Sequence, residues 1–92
     1  MQAHPLVVDL DLDEVKRGLA DGSLLLVDVR EPHEFAAGHI PGSASHPLST
    51  FDPEAFRDAD RRVVFSCAAG VRSVRAIEWA AAAGLPWREH YK

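Results

Sequence analysis

Two short apolar runs stand out along the chain: SLLLVDV (Ser23–Val29) and RVVFS (Arg62–Ser66). Neither alternates with polar residues, which predicts strands covered on both faces, as in a parallel sheet. Helical spacing surrounds them. In Asp11–Gly22, Asp11 can cap, Glu14 follows three residues later, and Val15 and Leu19 share a face. Gly18 weakens that helix and Gly22 can end it. Pro32–Gly38 reads as a short helix opened by proline and closed by glycine. Asp52–Phe56 reads as another, with an aspartate cap and proline at its first position. The alanine-rich stretch Ser73–Gly84 predicts the strongest helix, with Ser73, Ala76, Ile77, Ala80 and Ala83 on one face and Arg75 and Glu78 pointing away. Leu6–Val8, Ser43–Leu48 (with Pro47 limiting its pairing) and the loosely alternating tail LPWREHYK complete the set as short strands. Strands alternating with helices predict an α/β fold with a parallel or mostly parallel central sheet.

Composition sets limits on this picture. A chain of 92 residues predicts one domain over residues 1–92. A net charge of −4 without a basic stretch argues against nucleic acid or an anionic membrane as partner. No apolar run approaches the roughly 18 residues of a membrane span, and the opening MQAHPLVVDLDLDE has no signal-peptide pattern. One cysteine makes no internal disulfide, so a reducing, cytoplasmic setting is expected.

That one cysteine is the candidate chemistry. Cys67 follows the second apolar run and opens the segment CAAGVRS, which leads into the alanine-rich helix. In open α/β sheets ligands sit beyond the carboxyl ends of strands, often at helix N-termini. Both Asp28 and Cys67 fall at such ends. The N–H groups of Ala68, Ala69, Gly70, Val71, Arg72 and Ser73 can turn inward as an anion-binding concavity, reinforced by the helix dipole. Arg72 is expected to place a full charge at the mouth. A cysteine there has a lowered pKa and acts as a nucleophile. The plainer reading, a small buried core residue, needs none of these features.

Taken together, LLLVDVREPHEFAAGHIPGS, with Asp-Val-Arg, Glu-Phe and Gly-His-Ile-Pro-Gly between Asp28 and Gly42, and the later VVFSCAAGVRS, with Cys-x-x-Gly-x-Arg-Ser, resemble a single-domain rhodanese, a thiosulfate sulfurtransferase-like protein. The resemblance runs from about Leu6 to Tyr91. It implies a rhodanese-like sheet of about four to five strands flanked by helices, and a Cys67 that carries a persulfide. The implied donor is a small thiosulfate-like anion. The acceptor is cyanide in an assay and a thiol in the cell, with a protein sulfur acceptor also open. No metal and no organic cofactor is needed. The family pattern continues past WREHYK with paired glycines, a helix and a tryptophan, which leads to the expectation of a sheet face short of cover.

Particular residues separate this reading from its rivals. Tyrosine-phosphatase loops read Cys-x5-Arg, whereas Arg72 comes one position early and Ser66 stands where a histidine usually precedes the cysteine; a phosphatase or arsenate reductase is disfavoured. A non-catalytic regulatory or docking module of the same family is the remaining alternative, though inactive members typically lack the cysteine. Asp28 either orients loop amides or Arg72, or forms a structural salt bridge or cap. Arg30 and Glu34, four apart, are expected to pair locally. His39 reads as a turn-stabilising hydrogen bond rather than a general base. His33, His46 and His90 have no metal-ligand spacing with Cys67. Trp79 is expected to pack in the core.

Overall fold

A computed structural model of the chain describes residues 7–92. Its elements are β1 (Val8–Asp9), α1 (Leu12–Asp21), β2 (Leu24–Asp28), α2 (Pro32–Ala37), β3 (Ala44–Ser45), β4 (Arg62–Ser66), α3 (Val71–Ala82) and β5 (Glu89–Tyr91). Two 3₁₀ turns, Leu48–Thr50 and Pro53–Phe56, lie between β3 and β4. The five strands form one sheet in the order β1-β5-β4-β2-β3. Every pairing is parallel, so the sheet is wholly parallel rather than mostly so.

The two apolar runs occupy the middle of the sheet, with β2 and β4 paired from Leu24↔Arg62 to Asp28↔Ser66. Alternation along each strand then divides the core between two faces. Val27, Val29, Val63 and Phe65 meet Ala76, Ile77 and Ala80 of α3, together with Phe56 and Leu85. Leu24, Leu26 and Val64 meet Leu10 and Val15 on the α1 side, a smaller cluster edged by Leu19, Ile40 and Tyr91. Burial of this kind stabilises each large side chain by about 1.5–3 kcal/mol.

α1 is built as its sequence predicts. Asp11 Oδ1 accepts the Glu14 N–H at 2.9 Å, and Gly22 closes the helix in the left-handed region at φ 76°. Gly18 has a use that propensity alone does not reveal. A Cβ there would stand 2.5 Å from Leu24 Cβ, so the glycine is what allows α1 to lie directly on β2.

Several bounds differ from the sequence reading for identifiable reasons. α3 starts at Val71 rather than Ser73, because Gly70 at φ 86° turns the chain sharply into the helix. Ser43–Leu48 shrinks to a strand over Ala44–Ser45, since the Leu48 N–H turns back to the Val29 carbonyl at 3.0 Å and the chain enters a 3₁₀ turn. The first strand is Val8–Asp9, and Leu6 lies outside the described residues. The tail condenses to Glu89–Tyr91. Trp79 is not a core residue: it is 40% exposed, with its ring 6.0 Å from that of Phe51.

Candidate active site at the carboxyl ends of the strands

β2 and β4 end side by side, with Asp28 beside Ser66 and the Val29 N–H donating to the Ser66 carbonyl at 2.9 Å. Cys67 is the next residue of the chain. It faces α3 and is only 5% exposed. Its Sγ accepts the N–H of Gly70 at 3.1 Å and of Ser73 at 3.3 Å, and lies 3.4 Å from Ser73 Oγ. The loop therefore wraps the sulfur, and the left-handed Gly70 is what aims its N–H inward. Burial pushes the Cys67 thiol up, but the Ser73 hydroxyl and the N–H groups of Ser73, Gly70 and Ala69 outweigh it and hold the thiol below its ordinary value.

A cleft of ≈ 290 Å³ opens above the sulfur. Cys67 and Ala68 line it, with Asp28, Arg30, His39 and Lys92 among the polar groups and Leu26 and Tyr91 among the apolar ones. Of the loop residues, Ala68 and Ala69 are exposed, Ser73 is buried against the sulfur, and Val71 is 71% exposed.

The charges are arranged differently from expectation. Arg72 does not stand free at the mouth. Its Nη1 and Nη2 donate to Glu34 Oε1 and Oε2 at 2.6 and 3.0 Å. The Arg72 hydrogen bond draws the Glu34 carboxyl down to about 2. Arg30 does not pair with Glu34 either. Its Nε and Nη2 grip Asp28 at 2.8 to 3.1 Å, and Nη2 also donates to the Gly38 carbonyl at 2.8 Å. Asp28 thus serves the salt bridge and holds neither the loop amides nor Arg72. Arg30 ties the Gly38 turn to the end of β2, and Arg72 ties α2 to the first turn of α3, so paired charges brace the surroundings of the cleft. His39 Nδ1 lies 2.8 Å from the Phe35 carbonyl, a contact an N–H makes as donor, and its ring stacks on Phe35 at 3.7 Å. That is a hydrogen bond at a helix end, as the sequence predicts.

One residue at the site has no signal in motif spacing. His90 is buried behind the loop, with Nδ1 2.7 Å from Ser73 Oγ and Nε2 against the Asp9 carboxylate. The β1–β5 pairing, Asp9↔His90, brings the carboxylate to the ring, and α3 brings Ser73 to its other nitrogen. Among the described residues, no cluster of three His, Cys, Asp or Glu side chains is placed to hold a metal ion.

Known proteins resemble this chain in sequence and in fold. Residues 11–91 match the model of the rhodanese-like domain. A human thiosulfate:glutathione sulfurtransferase is 32% identical over 89% of this chain and 84% of its own length. A mouse thiosulfate sulfurtransferase/rhodanese-like domain-containing protein 3 is 34% identical over 85% of this chain. The chain spans only 59% of that mouse relative. A solved human single-domain sulfurtransferase superposes with a TM-score of 0.71 at 31% identity, covering 96% of this chain and 89% of that one. This chain belongs to the rhodanese-like domain family, beside relatives named as sulfurtransferases.

Proposed function

We propose that this chain is a sulfurtransferase that moves a sulfane sulfur from a thiosulfate-like donor to a thiol through a persulfide on Cys67. The observation that carries the reading is the wrapped sulfur: two N–H donors at 3.1 and 3.3 Å and a hydroxyl at 3.4 Å, on a thiol facing a cleft. Such a cage favours a negative sulfur. The short Cys-to-Arg spacing of the loop supports a single sulfur over a phosphoryl group as its cargo.

The chemistry needs only these groups. The Cys67 thiolate attacks the outer sulfur of thiosulfate. A new S–S bond forms, the old one breaks, and sulfite leaves with its electron pair. The outer sulfur of the persulfide then carries the negative charge into the same ring of donors. An acceptor thiolate attacks that outer sulfur, forms its own S–S bond and expels the Cys67 thiolate. A human relative named for glutathione as well as thiosulfate supports a low-molecular-weight thiol as acceptor. With Arg72 and Arg30 both paired, dianion binding falls to the loop N–H groups and Lys92 at the cleft. A reducing compartment such as the cytoplasm keeps the thiol available, and no described helix is long and apolar enough to cross a membrane.

The test is direct. Protein incubated with excess thiosulfate and desalted gains the mass of one sulfur atom on Cys67, and cyanide removes it as thiocyanate. Cys67→Ser folds and gains nothing. Wild-type protein that stays unmodified by thiosulfate and by a low-molecular-weight persulfide overturns the reading.

A further inference from the structure

Behind the loop, four side chains form a continuous hydrogen-bonded file from the cleft to the far edge of the sheet: Cys67, Ser73, His90 and Asp9. The links are Cys67 Sγ to Ser73 Oγ at 3.4 Å, Ser73 Oγ to His90 Nδ1 at 2.7 Å, and His90 Nε2 to Asp9 Oδ1. Ser73 and His90 are buried, whereas the Asp9 side chain is 70% exposed.

The file has a direction. A carboxylate only accepts, so the Asp9 contact puts a proton on His90 Nε2. In the neutral ring Nδ1 is then a bare acceptor, and the Ser73 hydroxyl must donate to it. Ser73 has one proton, so its oxygen is left to accept from the Cys67 thiol. The Ser73 hydroxyl also lies 3.2 Å from the Gly70 carbonyl, but the His90 contact is the shorter by half an ångström.

We propose that His90 and Asp9 are positioning residues that take up the Cys67 proton through Ser73 and hold the sulfur ionised. The proposal rests on Cys67 being the nucleophile of the sulfur transfer. The S–H bond breaks with its electron pair left on sulfur, and that proton bonds to Ser73 Oγ. At the same time the Ser73 O–H proton passes to the free pair of His90 Nδ1. Ser73 ends neutral, the sulfur carries one negative charge and the imidazolium one positive. The imidazolium keeps its Nε2–H on Asp9 and now donates from Nδ1 to Ser73, whose hydroxyl donates to the sulfur. The same arrangement then faces the persulfide.

The charged groups around His90 agree with this. Asp9 approaches from β1 and Cys67 from the end of β4, with Ser73 of α3 standing between Cys67 and the ring. On its own strand, Glu89 is turned to Arg62 at 2.6 Å. The Lys92 side chain is the nearest cation and lies on the same side of Gly70 as the ring: a Cβ on Gly70 would be 2.9 Å from Lys92 Cδ and 3.5 Å from His90 Cε1. Asp9 is thus the one carboxylate that contacts the ring among the described residues.

Alkylation of Cys67 by iodoacetamide, followed across pH, reads the thiolate without any sulfur donor. His90→Gln should slow alkylation about tenfold at neutral pH and converge on wild type above about pH 9.5, where the thiol ionises unaided. Asp9→Asn should give a shift of the same sign, about threefold because the carboxylate is solvated, and Asp9→Glu should restore the wild-type profile. Profiles that superimpose on wild type overturn the proposal. So does a loss of rate that is equal at all pH values, since that marks a role in loop shape alone. If His90→Gln does not fold, the exposed Asp9→Asn and Asp9→Glu pair decides. Alkylation separates the two readings: a pH shift in a protein that never gains sulfur keeps the relay and sinks the sulfur transfer, while sulfur loading with unshifted profiles does the reverse.

Discussion

Arg72 and Glu34, separated by 38 residues in sequence, meet through two hydrogen bonds of 2.6 and 3.0 Å. The pair joins the first turn of α3, which cups the sulfur, to α2, which leads into Gly38 and His39 at the cleft. It stabilises the fold in a pH-dependent way. A carboxyl held at about 2 in the folded chain against an ordinary 4.5 contributes stability that is fully present above 4.5 and is lost as pH falls through about 2. Urea titrations of wild type and Glu34→Gln should therefore differ most near neutrality, with the gap closing between those two values. A gap that persists at pH 2 would show that the bond is not what lowers the carboxyl.

Pairing of both arginines leaves the mouth short of free positive charge, and this predicts a high KM for thiosulfate. Ala68 is exposed and lines the cleft. Ala68→Arg should lower the thiosulfate KM about threefold at low ionic strength, and most of that gain should vanish in about 0.5 M salt. A KM that is unchanged in both conditions argues that the backbone alone sets donor binding.

Gly70 is the hinge of the loop. At φ 86° a Cβ is strained, and one there would also press on Lys92 at 2.9 Å. Gly70→Ala should lower stability by about 1–2 kcal/mol. Because the Gly70 N–H is one of the sulfur's donors, persulfide loading should fall more steeply than stability does. Loading that tracks the folded fraction would contradict this assignment.

Gly18→Ala probes the opposite case, a glycine needed for space and not for its dihedral angle. The new Cβ would meet Leu24 Cβ at 2.5 Å, and neither backbone can yield without moving α1 off β2. A loss of about 1–3 kcal/mol is expected from urea unfolding. The alkylation profile of the folded fraction should stay that of wild type, since α1 lies on the face away from Cys67.

The central strands, the caps of α1 and the small-residue loop were legible because each is written in contiguous residues. LLLVDV and RVVFS can only be buried strands at that length, and Asp11 with Gly22 brackets a helix. The partners that brace the site were not legible in the same way. Arg30 has a carboxylate four residues ahead, but the chain turns at Pro32, and the nearer Asp28 captures its guanidinium at the strand end. Glu34 is thereby released for Arg72, 38 residues further along the chain. His90 sat in a loosely alternating tail whose strand is three residues long, and Asp9 lies 81 positions away. Histidine spacing carried no signal because the contacts run across strands. Trp79 misled for a simpler reason: an aromatic on an alanine-rich helix looks like core until the helix orientation is known.

The pairing of β1 with β5 also governs when the site comes into being. The contacts Val8↔Glu89 and Asp9↔His90 join opposite ends of the described chain, and a loop that long closes late in folding because its entropy must be met before any contact rewards it. β2, β4 and α3 can assemble first and present the cysteine loop. During synthesis, the strand bearing His90 leaves the ribosome after all of them. Until that strand docks on both β4 and β1, the back of the loop has no histidine behind Ser73. Under the proposed relay, the thiol then has its cage of N–H groups but no imidazole to take its proton until β5 has docked.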